Sequence, residues 1–262
     1  MKSPSKLLSK YVASSTIGAQ LFLLFSVTVC SFAIYKGLFD VQALFLTILG
    51  YFLYGCLGIV VTFHRYLTHL SYEARPKLIK LFSLLGCFAG TGSPLAWANI
   101  HVNHHLYSDK AKDPHSPRQD GLKIFSLNYK VEDKSRYLRH IVNDGFQRFL
   151  HRYYFLVLLS YSLILYIVGG LYLMVFLHLL PALITALMSN IVNYVGHKPN
   201  WLGASRPYKL SDDSTNNWIW AIPSWGESWH NNHHRFPKKS KFTDAWWQLD
   251  ISGQIINLVK RA

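Results

Sequence analysis

Residues 226–234 read G-E-S-W-H-N-N-H-H, so His230, His233 and His234 follow the spacing H-x-x-H-H. The same spacing recurs in H-V-N-H-H at residues 101–105, and a third cluster reads H-R-Y-L-T-H at residues 64–69. Positions i, i+3 and i+4 share one face of a helix, so each H-x-x-H-H motif points three imidazoles in one direction. Imidazole is the commonest metal-binding side chain and suits iron, zinc, copper and nickel.

The chain contains 13 histidines, and eight of them fall in these three clusters. A lone histidine is usually a solvated surface group, but two repeats of one ligand spacing with a third cluster favour a metal site. Eight ligands are too many for one zinc ion, which normally takes four. The sequence therefore predicts two metal ions held by histidines.

Composition indicates a membrane protein. The chain has 262 residues, is 50% hydrophobic and carries a net charge of +14. In a soluble protein that charge would suggest nucleic-acid binding. Here long uncharged apolar runs separate the basic stretches, which favours a membrane. The three cysteines lie singly in apolar runs, so we expect buried thiols and no disulfide framework.

Four membrane spans are predicted, at about residues 12–35, 41–63, 153–169 and 171–196. The last two come from one uncharged run of about 45 residues, roughly twice the length that crosses a bilayer core. Gly169-Gly170 divides this run, and Pro181 is expected to kink its second half. His178 lies alone within it, where packing or a local hydrogen bond is the favoured role.

Residues 81–100 form a further uncharged run, which Gly90, Gly92 and Pro94 interrupt. If it crossed the membrane, the clusters that begin at His64 and His101 would lie on opposite faces. One metal centre could not then use both. The run is therefore interpreted as an interfacial or re-entrant segment followed by a polar helix that carries the second cluster.

The predicted fold is an all-α, integral membrane, four-helix bundle with a helical cap that holds the metals. Residues 1–262 form one domain, whose cap consists of residues 64–152 and 197–262. With four spans, both termini and the cap share one side, which holds every Lys and Arg except Lys36. The positive-inside rule makes that side cytoplasmic.

Nitrogen-only ligation at this face suits redox iron. Zinc hydrolysis would instead expect a carboxylate base beside the ligands, as in H-E-x-x-H, and the sequence has no such motif. Glu227 is a candidate for orienting a ligand. His197 follows the fourth span, and Asn193 precedes it by four residues on the same helical face. His115 either lies near the site or packs a loop, while His140 and His151 are expected on the surface.

Three motifs carry a family resemblance: H-R-Y-L-T-H, then H-V-N-H-H-L-Y-S-D with D-P-H after it, and G-E-S-W-H-N-N-H-H-R-F-P. In their order and spacing, from about residue 50 to 249, they resemble the membrane fatty-acyl desaturases of the delta-9 type. The resemblance implies four spans, a cytoplasmic cap and a di-iron centre. It implies as iron ligands His64, His69, His101, His104, His105, His197, His230, His233 and His234. Asn193 matches the family position that reaches one iron through a water.

Two details stay open in the sequence. The histidines of H-x4-H lie about 140° apart on an ideal helix, so they need not serve one iron, and the division of nine ligands between two ions is undetermined. Family members that act on acyl-CoA often carry Arg-Asp just before the second cluster, where this chain has Asn99-Ile100. That departure favours an acyl chain carried on a membrane glycerolipid, with acyl-CoA as the alternative.

The resemblance implies an oxygen-dependent desaturase that introduces a cis double bond, expected at the delta-9 position, into a saturated acyl chain. A related di-iron hydroxylase or other oxygenase is the alternative, since the same motifs can deliver oxygen. A non-catalytic metal-binding or transport protein is a third class, but it would need ionisable groups along the spans. No haem, flavin or iron–sulfur motif is recognisable, so an external ferredoxin or cytochrome b5-like donor is expected at the basic face.

Overall fold

The structure, a computed structural model, describes the backbone of residues 4–261 and the side chains of residues 17–261. Helices dominate this part of the chain. By length and composition three of them can cross a membrane: Ile17–Tyr35 within α1 (Pro4–Tyr35), α2 (Val41–Thr68), and the segment Tyr154–Val195. Side chains of residues 12–16, the start of the first predicted span, lie outside the described residues.

The Tyr154–Val195 segment folds back on itself at Gly169 and Gly170, whose backbone angles are not helical. Its arms are α6 (154–168) and α7 (171–195). The Ser162 hydroxyl hydrogen-bonds His178 Nδ1 at 2.9 Å, although 16 residues of straight helix would separate them by about 24 Å. The predicted division at the two glycines is confirmed, whereas the four-span topology stays a prediction.

Two hydrogen-bonding patterns succeed each other along α2. Residues Val41–Tyr51 are α-helical, and the Asp40 side chain accepts the Ala43 N–H at their start. Residues Phe52–Thr68 form a π-helix, in which each N–H bonds a carbonyl five residues earlier. Because the helix continues to Thr68, His64 lies on its last turns. The helix thus runs past residue 63, because no capping residue or glycine stops it there, while the predicted boundary between span and cap at that residue stays a prediction.

The interrupted run before the second cluster does not form one long helix. Helix α3 spans Pro76–Cys87 and helix α4 spans Pro94–Tyr107. Ser93 caps the start of α4, and its side chain accepts the Ala96 N–H. Gly90 and Gly92 adopt positive φ angles in the break. His64 and His101, on either side of this run, have ring centroids only 4.3 Å apart, so the run returns to the side on which it began.

Short elements complete the cap, and most of the tail lacks regular structure. Between α4 and α6 lie the helices Pro117–Asp120, Gly121–Ser126, Ser135–Tyr137, Arg139–Asn143 and α5 (Gly145–Arg152). The tail contains β1 (Ala204–Ser205) paired antiparallel with β2 (Asn216–Asn217), then α8 (His230–Arg235) and α9 (Ile251–Val259). The all-α prediction is correct apart from this two-residue pairing.

Buried side chains from α1, α2, α4, α6 and α7 form one apolar core. His178 lies within it and bonds the Phe88 carbonyl through Nε2 at 3.0 Å as well as Ser162. This bond joins the hairpin to the break after α3. The expectation of packing or a local hydrogen bond for His178 is thus confirmed, and the core includes α2 and α4, which carry the first two histidine clusters.

Candidate metal centre

All nine histidines of the predicted site converge, and they do so in two adjacent groups. In each group the ligand nitrogens lie within 4.8 Å of one another. The rings of His105 and His234, one from each group, have centroids 4.7 Å apart. The five-histidine group consists of His64, His69, His101, His105 and His233, and the four-histidine group of His104, His197, His230 and His234.

Each H-x-x-H-H motif divides between the groups in a reciprocal way. The motif on α4 places its i and i+4 histidines, His101 and His105, in the five-histidine group and its i+3 histidine in the other. The motif on α8 does the reverse, with His230 and His234 in the four-histidine group. The three imidazoles of one motif therefore share a general direction but belong to two centres.

The π-helical turn at the end of α2 explains why His64 and His69 belong to one group. The His69 N–H donates to the His64 carbonyl at 3.1 Å, which is a five-residue turn. A five-residue turn brings residues five positions apart closer to one side of the helix than an ideal α-helix, which would separate the pair by about 140°. The two ring centroids are 4.8 Å apart.

The inward nitrogens are spaced as ligands of one ion would be. In the five-histidine group, Nε2 of His101 lies 2.9 Å from Nε2 of His69 and 3.0 Å from that of His105. In the other group, Nε2 of His230 lies 3.1 Å from Nε2 of both His197 and His234. Nitrogens about 2.1 Å from an ion and at right angles are about 3 Å apart, so the residues fit bound metal.

Several outward nitrogens meet carboxylates. His104 Nδ1 lies 3.0 Å from Asp113, His197 Nδ1 lies 2.8 Å from Asp109, and His234 Nδ1 lies 2.9 Å from Asp212. His64 Nδ1 contacts Glu227. A carboxylate that accepts a hydrogen bond from Nδ1–H keeps the proton on that nitrogen, leaves the Nε2 lone pair free for a metal and orients the ring. The predicted orienting role of Glu227 has this contact in its support, while the three aspartates had not been assigned a role.

Electrostatics keeps most of these imidazoles neutral, the form that binds a metal. Burial, assisted by neighbouring imidazoles, lowers the pKa of six of them well below the usual range: His69, His101, His105, His230, His233 and His234. For His104, burial acts in the same direction, but Asp113 outweighs it and the pKa is raised. Burial would raise the pKa of Asp109, yet hydrogen bonding to His197 brings it down to about 2.

A fully buried arginine lies behind the five-histidine group. Arg65 donates from Nε and Nη2 to Glu227 Oε1, at 3.1 and 2.8 Å, and from Nη1 to Asp250 at 2.8 Å. Its guanidinium carbon lies 3.8 Å from the centre of the Phe242 ring, which packs on His233 with a centroid distance of 4.4 Å. Arg65 thus connects the C-terminal segment to a carboxylate that contacts His64.

A cavity borders both groups. His64, His101 and His230 form part of its wall, and most of the remaining wall is apolar, with residues such as Ile59, Ala96, Trp97 and Ala186. Asn193 also lines this cavity. A largely apolar cavity beside two metal-binding groups is a candidate place for an alkyl chain.

The other histidines fall outside the two groups. His115 is buried and stacks on His104, with ring centroids 4.3 Å apart, so it lies beside the site and lines the cavity. His140 is exposed, as expected, and bonds the Leu67 carbonyl at 2.7 Å. His151 was expected on the surface, but it is only partly exposed because it bonds Ser93 at the start of α4.

Known proteins resemble the chain over most of its length. Residues 41–251 match the sequence profile of the fatty acid desaturase family. An acyl-CoA C20 delta-5 desaturase of Anemone leveillei is 33% identical over 80% of this chain and 68% of its own length. A delta-9 acyl-lipid desaturase of Arabidopsis thaliana is 32% identical over 79% and 68%, respectively. An sn-1 stearoyl-lipid 9-desaturase of Anabaena variabilis is 30% identical over 87% and 85%.

Proposed function

This chain belongs to the fatty acid desaturase family, and from that premise we propose that it is a two-iron, oxygen-dependent desaturase that introduces a cis-delta-9 double bond into a saturated acyl chain. As a family member it is an oxidoreductase of lipid metabolism. The observation that carries the finer proposal is the convergence of nine Nε2 atoms in two groups beside an apolar cavity. Nitrogen ligation of this kind suits redox iron.

The five-histidine group would hold one iron and the four-histidine group the other. The family resemblance implies that Asn193 reaches one iron through a water, and we assign it to the four-histidine site because it lines the cavity with His230. Bound iron would supply the reduction of dioxygen. In the overall reaction, dioxygen takes two electrons and two protons from the two C–H bonds that break, and two more electrons from an external donor. With two further protons it leaves as two waters.

The protein's own residues would position the chain and exclude water. The apolar wall of the cavity holds the alkyl chain alongside His64, His101 and His230. Carboxylates on the far side of the imidazoles keep the protons on Nδ1 and the rings in place. Which carbon pair is oxidised would follow from how far the chain slides past the two groups before its head group stops.

The surroundings of Asn99 support a glycerolipid rather than a CoA thioester as the carrier of the acyl chain. Asn99 is buried; its amide donates to the Glu132 carbonyl at 3.0 Å and accepts the Lys134 N–H at 2.8 Å. The side chain is uncharged, and both its amide nitrogen and its amide oxygen are already engaged in hydrogen bonds within the protein. Ile100 lines the cavity and is likewise uncharged. CoA phosphates would benefit from fixed arginine contacts, which these two positions cannot provide.

The reaction product is the first test. We expect a host that expresses the chain to accumulate delta-9 monounsaturated fatty acids, measured by gas chromatography–mass spectrometry. His233→Ala is the inactive control, and His140→Ala, outside both groups, is the matched active one. A hydroxylated product would point to an oxygenase, and zinc as the only metal that supports activity would contradict the iron assignment.

The carrier and the electron donor are tested in vitro. Labelled stearoyl-phosphatidylcholine and labelled stearoyl-CoA are compared with donor supplied, and we expect the phospholipid to be desaturated. Conversion of the thioester alone would overturn the carrier assignment and leave the desaturase assignment intact. A ferredoxin or cytochrome b5-like protein should be required, docking on the basic cytoplasmic face. Turnover with NAD(P)H alone would contradict that requirement.

A further inference from the structure

The two histidine groups differ in the charges behind them. Three of the four histidines in one group contact an aspartate: His104 with Asp113, His197 with Asp109, and His234 with Asp212. Among residues 17–261, His64 is the one member of the five-histidine group with a carboxylate partner, Glu227. The five-histidine group has more histidines but fewer carboxylate partners. The number of carboxylates therefore does not follow from the number of ligands.

Arg65 further reduces the negative charge at the five-histidine group. Its guanidinium binds Glu227 through two nitrogens and, on its other side, Asp250. The two carboxylates and the arginine together carry one net negative charge. The three aspartates of the other group carry three, and none of them pairs with a Lys or Arg side chain in the described residues. Lys112, the neighbour of Asp113 in sequence, pairs with Glu132 instead, and Arg206 donates to the backbone carbonyl of Asp212 and not to its carboxylate.

Burial makes this difference effective. The side chains of Asp109 and Asp113 are at most 1% exposed, and that of Asp212 is 12% exposed. Charges shielded from water act on each other more strongly than surface charges. A carboxylate bonded to a ligating imidazole also makes that imidazole a stronger donor to the metal. Both effects favour the more highly charged state of an ion.

We propose that Asp109, Asp113 and Asp212 make the four-histidine site the place of the more highly charged ion, so that the five-histidine site accepts the first electron. The inference rests on the proposed function insofar as the two ions are iron. It assigns an order of reduction to two sites that receive electrons from one donor. The aspartates act through the histidines as positioning residues, and they do not touch the substrate.

The test uses the full chain loaded with ⁵⁷Fe in lipid nanodiscs, titrated with dithionite and followed by Mössbauer spectroscopy. We expect one ferric signal per chain to convert before the other. Asp212→Asn should change the signal of the iron that is reduced last, and Glu227→Gln that of the iron reduced first. Asp213→Asn is the matched control, because Asp213 is the next carboxylate in sequence and its side chain contacts no histidine.

A second measurement is release of ferric iron to a chelator. Loss of one ligand-orienting partner typically weakens metal binding about 10–100-fold. Asp212→Asn should weaken the binding of one of the two ferric ions by this factor. Asp213→Asn should bind both ferric ions as tightly as the parent protein does. Both ions converting in parallel in the parent protein would overturn the proposal, as would an Asp212→Asn effect on the iron reduced first. Protein that takes up no iron would instead contradict the proposed function on which the inference rests.

Discussion

Replacing Arg65 by methionine should strongly destabilise the protein, because it removes the positive partner of two buried carboxylates. Arg65 is fully buried and donates four hydrogen bonds: two to Glu227, one to Asp250 and one to the Ser240 carbonyl. Methionine has a similar length and no charge. Glu227 and Asp250 would then face each other without a cation between them.

The expected loss is about 3–5 kcal/mol in the free energy of unfolding, the usual effect of removing one partner from a buried ion pair. Arg65→Lys should lie between the methionine variant and the parent protein. Lysine retains the charge, but its single ammonium group cannot reproduce the planar fork that reaches both carboxylates. The lysine variant therefore separates the contribution of charge from that of geometry.

The assay is denaturant unfolding of the detergent-solubilised protein without metal, so that iron binding does not enter the comparison. Arg118→Met is the matched control, because Arg118 also pairs with an aspartate, at 3.5 Å, but is 57% exposed. An exposed ion pair contributes no more than about 1 kcal/mol. An Arg65→Met protein within about 1 kcal/mol of the parent, or no more affected than Arg118→Met, would refute the reasoning.

Three further predictions concern metal, pH and topology. His101→Ala and His104→Ala should each reduce the iron content from about two to about one per chain, because each residue belongs to one group. His140→Ala should keep two irons, and elemental analysis measures all three variants. Loss of both irons in both of the first two variants would show one indivisible site. Metal-free protein should lose stability as the pH falls from 8 to 5. The pKa of His69 and five other imidazoles is lowered in the folded state, so below about pH 6.5 the unfolded chain binds more protons than the folded one. An unfolding midpoint that does not change over this pH range would contradict the prediction. Tags at both termini should be cytoplasmic and a reporter within residues 36–40 external, by accessibility to an impermeant reagent; a cytoplasmic signal from the 36–40 reporter would refute the four-span topology.

Features that depend on local sequence were predictable. The Gly169-Gly170 break follows from glycine's low helix propensity within an otherwise uncharged run. The break before His101 likewise follows from Gly90, Gly92 and Pro94, which interrupt that run. The H-x-x-H-H spacing similarly indicates a shared helical face, because the periodicity of a helix is a local property.

Features that depend on packing between distant segments were not predictable. Nothing in H-x4-H indicates that α2 would become a π-helix and place His64 and His69 in one group. Asp212 and Asp213 are neighbours of identical chemistry, yet one contacts a histidine and the other an arginine. Their roles depend on where an irregular loop passes His234, which no local pattern encodes.

Composition, helical periodicity and family motifs are local in the chain, so the apolar helices and the nine candidate ligands could be recognised without a three-dimensional structure. The division of the ligands into five and four, and the carboxylates that contact them, became visible only in the folded chain. The reason is that α4 and α8 each supply both groups, so a histidine's membership depends on how segments distant in the chain pack against each other.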